Sequence, residues 1–191
     1  KQYGDERRTK VIPGELGKMS DEDLIAEEQV VVTLTSANYI KRSQIAEYKR
    51  QGRGGKGRRG MTTREEDVIE HVVNASTHDF LLFFTNKGRV FRLKTYEVPA
   101  AGMNAKGVAI VNLLQLQPEE TVSAVINVSK GDQAANLIMC TVRGVVKKTP
   151  FDQYQNVRAS GLIAINLDDG DELKWIRQTS GENEGGLSTS Q

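Results

Sequence analysis

Thr35-Ser36-Ala37-Asn38-Tyr39-Ile40-Lys41-Arg42, Thr85-Asn86-Lys87-Gly88-Arg89-Val90-Phe91-Arg92 and Thr141-Val142-Arg143-Gly144-Val145-Val146-Lys147-Lys148 are three versions of one eight-residue pattern, set 50 and then 56 residues apart. Each follows an apolar run, places Asn or Gly where the chain must turn, and continues as a strand that alternates apolar with basic residues. That is the signature of a β-hairpin.

Other segments recur in the same order. Val68 to Ser76, Thr121 to Ser129 and Leu173 to Ser180 are similar apolar-polar strands, and Gly107 to Leu113 matches Gly161 to Leu167. A period near 50 residues with about four strands per unit predicts propeller-like blades. An ordinary β-sandwich fits less well, because two distinct strand types repeat together. The expected fold is therefore all-β and antiparallel, with units over 29–78, 79–130 and 131–182 and a fourth begun at 183. Gly185 and Gly186 stand in that fourth unit where the others are apolar, so the chain is expected to stop inside a repeat. Residues 1–28 are charged, broken by Pro13 and Gly14, and acidic from Asp21 to Glu28. They read as a linker, the one place where helix is expected.

Composition narrows the chemistry. With 38% hydrophobic residues the chain can bury a core, and apolar stretches such as Phe80 to Phe84 are far too short to span a bilayer, which predicts a cytoplasmic protein with no membrane partner. Cys140 is the single cysteine, and with His71 and His78 it makes no familiar metal spacing, so no metal site is expected. Cys140 reads as a buried small hydrophobe, Trp175 as core or half-buried packing, and His78-Asp79 as a turn hydrogen bond. No nucleophile, acid and base converge, so no catalytic residue is assigned.

Net charge is only +1, yet the cations are segregated. Lys49-Arg50-Gln51-Gly52-Arg53-Gly54-Gly55-Lys56-Gly57-Arg58-Arg59-Gly60 carries six basic residues among five glycines and no acid. Glycines let main-chain N–H groups approach a phosphate, and interleaved Arg and Lys release counterions from it. A solvated flexible loop has the same composition. A nucleotide-binding loop does not, because Lys56 is followed by Gly57 and no helix opens there. The hairpin strands add Lys41 and Arg42, Arg89 and Arg92, and Lys147 and Lys148, with Lys87 and Arg143 at the turns. In register, these eight would form a basic stripe along the rim. The acids cluster elsewhere, at Asp21 to Glu28, Glu65 to Asp67, Glu119 to Glu120 and Asp168 to Glu172, so opposite charges would occupy different faces.

The segment Gln51 to Gly57 resembles the box motif of the DNA-wrapping domain of DNA gyrase A subunits, a type IIA topoisomerase family, departing from it at Gly52, where that family has a basic residue. Gly4 to Thr9, Gln29 to Thr35, Ser76 to Asp79, Asn86 to Phe91 and Val111 to Leu114 also resemble this family. The resemblance implies a β-pinwheel of six blades, of which this chain would hold about three, following a linker from the breakage-reunion region. It further implies duplex DNA as partner, contacted by the box, its flanks Lys49, Arg50, Arg58 and Arg59, and the stripe. For the whole enzyme it implies protein partners, the gyrase B subunit with a second A-type chain, and the cofactors ATP and Mg; none of those cofactors is expected in this segment. The implied role is wrapping of DNA that gives strand passage its direction and yields negative supercoils. The alternatives are the corresponding domain of a topoisomerase IV, or a β-propeller module that binds another polyanion.

Overall fold

Asn38, Gly88 and Gly144 hold the same place in the three copies, and all three have left-handed backbones, with φ of 61°, 73° and 86°. In each turn the main-chain N–H of this residue donates to the carbonyl of the copy's first threonine, at 2.9, 3.0 and 3.0 Å. The same threonine turns its hydroxyl back to accept the next N–H: Tyr39 donates to Thr35, Arg89 to Thr85 and Val145 to Thr141, at 3.2, 3.2 and 3.1 Å. Thr35, Thr85 and Thr141 are buried, so the recurring threonine gives the turn's main-chain groups internal partners on both sides of the bend.

The computed structural model describes residues 21–45, 68–102, 104–129 and 136–180. Eleven strands run through them: β1 Gln29–Thr35, β2 Tyr39–Gln44, β3 Ile69–Ser76, β4 Phe80–Thr85, β5 Arg89–Lys94, β6 Val108–Ala109, β7 Val122–Val128, β8 Asn136–Thr141, β9 Val146–Pro150, β10 Leu162–Ile163 and β11 Leu173–Thr179. They form three antiparallel sheets in the orders β3-β1-β2-β6, β10-β5-β4-β7 and β11-β8-β9. The fourth strand of a sheet comes from the unit that follows it. Tyr39 and Ile40 of β2 pair with Ala109 and Val108 of β6, and Val90 and Arg89 of β5 pair with Leu162 and Ile163 of β10.

Glycine makes this return possible. Gly107, just before β6, has φ of 86°, and a Cβ there would lie 2.4 Å from the Ile40 carbonyl oxygen. Gly161, before β10, has φ of 80° and packs its bare Cα against the Phe91 ring.

The second sheet is buried on both faces. Leu81, Phe83 and Phe91 join Val30, Val32, Leu34 and Ile40 of the first sheet in one core, while Leu82, Phe84 and Val90 join Leu137, Met139, Leu173 and Ile176 of the third in another. This explains why β4 is apolar throughout instead of alternating. The described residues contain no α-helix, but short 3-10 turns lie at Thr95–Glu97, Ile110–Asn112 and Phe151–Tyr154 as well as at Asp21–Leu24. Helical turns are thus not confined to the region before Gln29, because the chain must reverse between each hairpin and the strand it sends back.

Residues 21–28 dock on the sheets. Lys94 Nζ meets Glu22 Oε1 at 2.9 Å, Thr77 donates its hydroxyl to the Ala26 carbonyl at 2.8 Å, and a His78 ring nitrogen lies 2.8 Å from the Ile25 carbonyl. Asp79 serves the turn itself, its carboxylate accepting the Ser76 N–H at 2.8 Å. Residues 1–20 and the proposed fourth unit from 183 lie outside the described residues.

Gly107→Ala should lower the unfolding free energy by about 2 to 3 kcal/mol, since it adds left-handed strain and a contact with the Ile40 carbonyl. Gly102→Ala, with open space around the added methyl, should stay within about 0.5 kcal/mol of the parent. Urea denaturation of the two variants checks the difference.

Candidate nucleic-acid interface

The box, Gln51 to Gly57, and its flanks Lys49, Arg50, Arg58 and Arg59 lie outside the described residues. Their surroundings are defined. The segment leaves after β2 and returns before β3; Gln44 pairs with Val30 at one end of β1 and Ile69 pairs with Thr35 at the other. Val68 closes the return, accepting the Ser36 N–H at 2.9 Å. In the later units the same interval of chain carries the 3-10 turn and the strand sent back to the preceding sheet.

The eight cations of the expected stripe do not share one environment. Lys41 is wholly buried and donates from Nζ to the Gly102 carbonyl at 3.1 Å, which corrects its assignment to an exposed rim. Arg42 donates from Nε to the Val98 carbonyl at 2.6 Å. Arg89 is paired with Glu120 at 2.8 Å, stacks 4.7 Å from the Phe91 ring centroid and reaches the Ser160 carbonyl. Arg92 lies 3.4 Å above the Phe80 ring and donates to the Gln155 carbonyl; burial holds its pKa below the usual arginine value. All four sit on second strands covered by the following repeat, so the charge meets protein before it meets solvent.

The other four are exposed. Lys87 and Arg143 stand at hairpin tips, and Lys147 and Lys148 on β9, an edge strand among the described residues. Lys87 Nζ rests on the Pro118 carbonyl at 2.7 Å and Lys147 Nζ on the Ala164 carbonyl at 2.7 Å. Both contacts leave ammonium N–H groups that can turn to a phosphate. Lys174, Arg177 and Arg158 add exposed cations to the third unit, and Trp175, expected in the core or half-buried, is 53% exposed, so of the two expectations the core one is excluded. The bulge in β11 between Leu173 and Trp175 turns that ring outward. Cys140 is buried and makes no disulfide. Among the described residues no three His, Cys, Asp or Glu side chains gather to hold a metal, and no helix is long and apolar enough to cross a membrane.

The sequence matches the family described as DNA gyrase C-terminal domain, beta-propeller, over residues 29–76, 79–129 and 135–180. The chain belongs to this family. The DNA gyrase A protein of Clostridium acetobutylicum is 51% identical over 182 residues, covering 95% of this chain and 22% of that protein. The gyrase A protein of Streptomyces coelicolor is 50% identical over 86% of this chain and 19% of its own length, and that of Staphylococcus aureus 44% identical over 98% and 21%. The chain thus spans about a fifth of these curated relatives. Among solved structures it resembles the C-terminal domain of DNA topoisomerase IV, with a TM-score of 0.70 and 28% identity over 83% of this chain and 48% of that one. It also resembles the DNA gyrase A C-terminal domain, with a TM-score of 0.63 and 28% identity over 80% and 48%. The much higher identity to full-length gyrase A proteins does not favour the topoisomerase IV alternative.

In this gyrase C-terminal domain the acids expected as surface counter-charge include structural pins. Glu120 is buried, accepts the Thr85 hydroxyl at 2.7 Å and the Gln117 N–H at 2.7 Å, and pairs with Arg89. Asp171 holds the equivalent place in the third unit, accepting the Arg143 and Glu172 N–H groups at 3.0 and 2.8 Å. The sequence carries a periodic signal for this role: each of these acids lies two residues before the third strand of its sheet, as does Asp67 in the first unit. Burial alone would raise the Asp171 pKa; hydrogen bonds from Thr141, Arg143 and Glu172, with the Arg143 charge, outweigh it and hold the pKa below the usual value. A depressed native pKa stabilises the fold fully above the unfolded value of about 4, and that stabilisation disappears as pH falls through the native value. Asp171→Asn should therefore lower the Tm at pH 7, and the gap to the parent should narrow as pH falls below about 4, as thermal melts across pH would record.

Proposed function

We propose that this domain binds, bends and wraps duplex DNA without reading its sequence, within a gyrase that also contains a second A-type chain and the gyrase B subunit. The carrying observation is the basic, glycine-rich box between β2 and β3 of a chain in the gyrase C-terminal family. Phosphate contacts supply affinity and position but no base discrimination. The proposed contacts are Gln51, Gly52, Arg53, Gly54, Gly55, Lys56 and Gly57, their basic flanks, and the exposed Lys87, Arg143, Lys147 and Lys148. Arg50, Arg58 and Arg59 supply the charge that Gly52 lacks.

A long bend needs distributed contacts. Bending 20 to 30 base pairs by 40 to 90° costs on the order of 1 to 6 kcal/mol, more than one loop supplies while also holding register. The box anchors the DNA and the later units guide it. In the whole cytoplasmic enzyme, cleavage and the use of ATP and Mg belong to other parts, and the wrap presents a neighbouring DNA segment with fixed handedness, which directs strand passage toward negative supercoils.

Replacing Arg53 and Lys56 together by Ala should weaken duplex binding and reduce the slope of log K against log salt by roughly 1 to 2, alike for unrelated sequences. A loss confined to one sequence would replace phosphate contact with base readout. In the complete enzyme, alanines throughout Gln51 to Gly57 should leave relaxation and decatenation in place and abolish ATP-driven supercoiling, scored on closed circular DNA. Full supercoiling by that variant would assign the wrap to the remaining cations.

A further inference from the structure

Arg42, Arg92 and Lys148 share one register position: they lie opposite Val32, Leu82 and Ile138 in the three hairpins. The first two do the same thing with their side chains. Arg42 donates from Nε to the carbonyl of Val98, and Arg92 from Nη1 to the carbonyl of Gln155. Val98 is the residue that ends the 3-10 turn Thr95–Glu97, and Gln155 the residue that ends the turn Phe151–Tyr154. Each turn follows directly on the second strand of the next sheet. Each guanidinium thus bridges the second strand of one sheet to the end of the second strand of the next, at a carbonyl that the turn itself does not use.

At the first junction the main chain reinforces the link. The Arg42 N–H donates to the Pro99 carbonyl at 3.0 Å, its carbonyl accepts the Ala101 N–H at 2.9 Å, and Arg42 bridges Ala100 in parallel. At the second junction the Phe80 ring, 3.4 Å from the guanidinium carbon of Arg92, fixes the plane of the fork. A planar fork held by a ring or by neighbouring main chain transmits an angle, which a flexible lysine does not.

We propose that Arg42 and Arg92 are latches between successive blades that set the angle of one sheet to the next, and through it the curvature imposed on bound DNA, instead of holding phosphates. This rests on the DNA-wrapping reading above for its consequence, but the latch itself is a property of the protein alone. The two levels separate experimentally.

Without DNA, spin labels at Glu70→Cys and Lys174→Cys in a Cys140→Ala background report the distance between the first and third sheets. The full 191-residue chain carrying Arg42→Gln and Arg92→Gln should show a broader distance distribution than the parent, and Arg42→Lys with Arg92→Lys an intermediate one. With a duplex of about 40 base pairs labelled at both ends, the glutamine variant should keep the salt slope of the parent to within about 0.5 while the end-to-end distance increases. Lys148→Gln, at the same register but exposed, should lower the slope by about 0.9. An unchanged label distribution, or a slope that falls by about 0.9 for each arginine with the bend intact, overturns the latch. If the glutamine pair does not fold, the lysine pair and the single variants carry the same readouts. Failure of the parent chain to bind duplex in a salt-dependent way would remove the wrapping function and leave the label result to decide the latch.

Discussion

The pairing of β2 with β6 and of β5 with β10 ties each repeat into the sheet before it, and most of what is distinctive in the molecule follows from that return. Blades that merely stacked would be held by side-chain packing alone and could slide or tilt. Here the main chain of one repeat supplies hydrogen bonds to its predecessor, and the two cores lie between sheets, not within them. The second sheet contributes opposite faces to both cores, so loosening it exposes apolar surface on two sides. The unit that repeats in the sequence is consequently offset from the unit that folds.

That offset marks the boundary of what is legible in the sequence. The hairpins are legible because Thr at the first place and Asn or Gly at the fourth are required by local geometry, a bent main chain with an N–H that needs an internal acceptor. The fate of the basic residues is not. A two-residue period says that Lys41 and Arg42 point to opposite faces of β2, but not that residues 98–102 from the next repeat lie over them. The partner that receives the buried Lys41 ammonium, the Gly102 carbonyl, is 61 positions away. For Trp175 the sequence leaves core and half-buried packing open, and the bulge beside it, which no residue type announces, turns the ring outward.

The acids shift the electrostatic argument as well. Asp79, Glu120 and Asp171 are buried and occupied by turn N–H groups, threonine hydroxyls and Arg89, while Glu27, Glu28, Glu119, Asp168, Asp169 and Glu172 of the acidic segments stay exposed. The near-neutral total charge therefore misstates the surface twice, because cations such as Lys41 and Arg89 are withdrawn along with anions. Among the described residues, exposed cations remain at the hairpin tips, on β9 and around Trp175.

Affinity and curvature then make different demands on the same residue types. A phosphate contact works best where a cation is hydrated, mobile and free to follow the backbone, which suits Lys147, Lys148 and a glycine-rich loop. Bending requires that the contacts sit at fixed relative angles, because a rim that yields lets the DNA relax toward straightness and recovers the deformation energy at the expense of protein order. Arginines pinned to carbonyls and rings meet that second demand at the cost of the first. In this domain part of the positive charge sits inside the joints between sheets, where Arg42 and Arg92 meet carbonyls of the next repeat, so a count of Lys and Arg along the repeats overstates the charge left exposed.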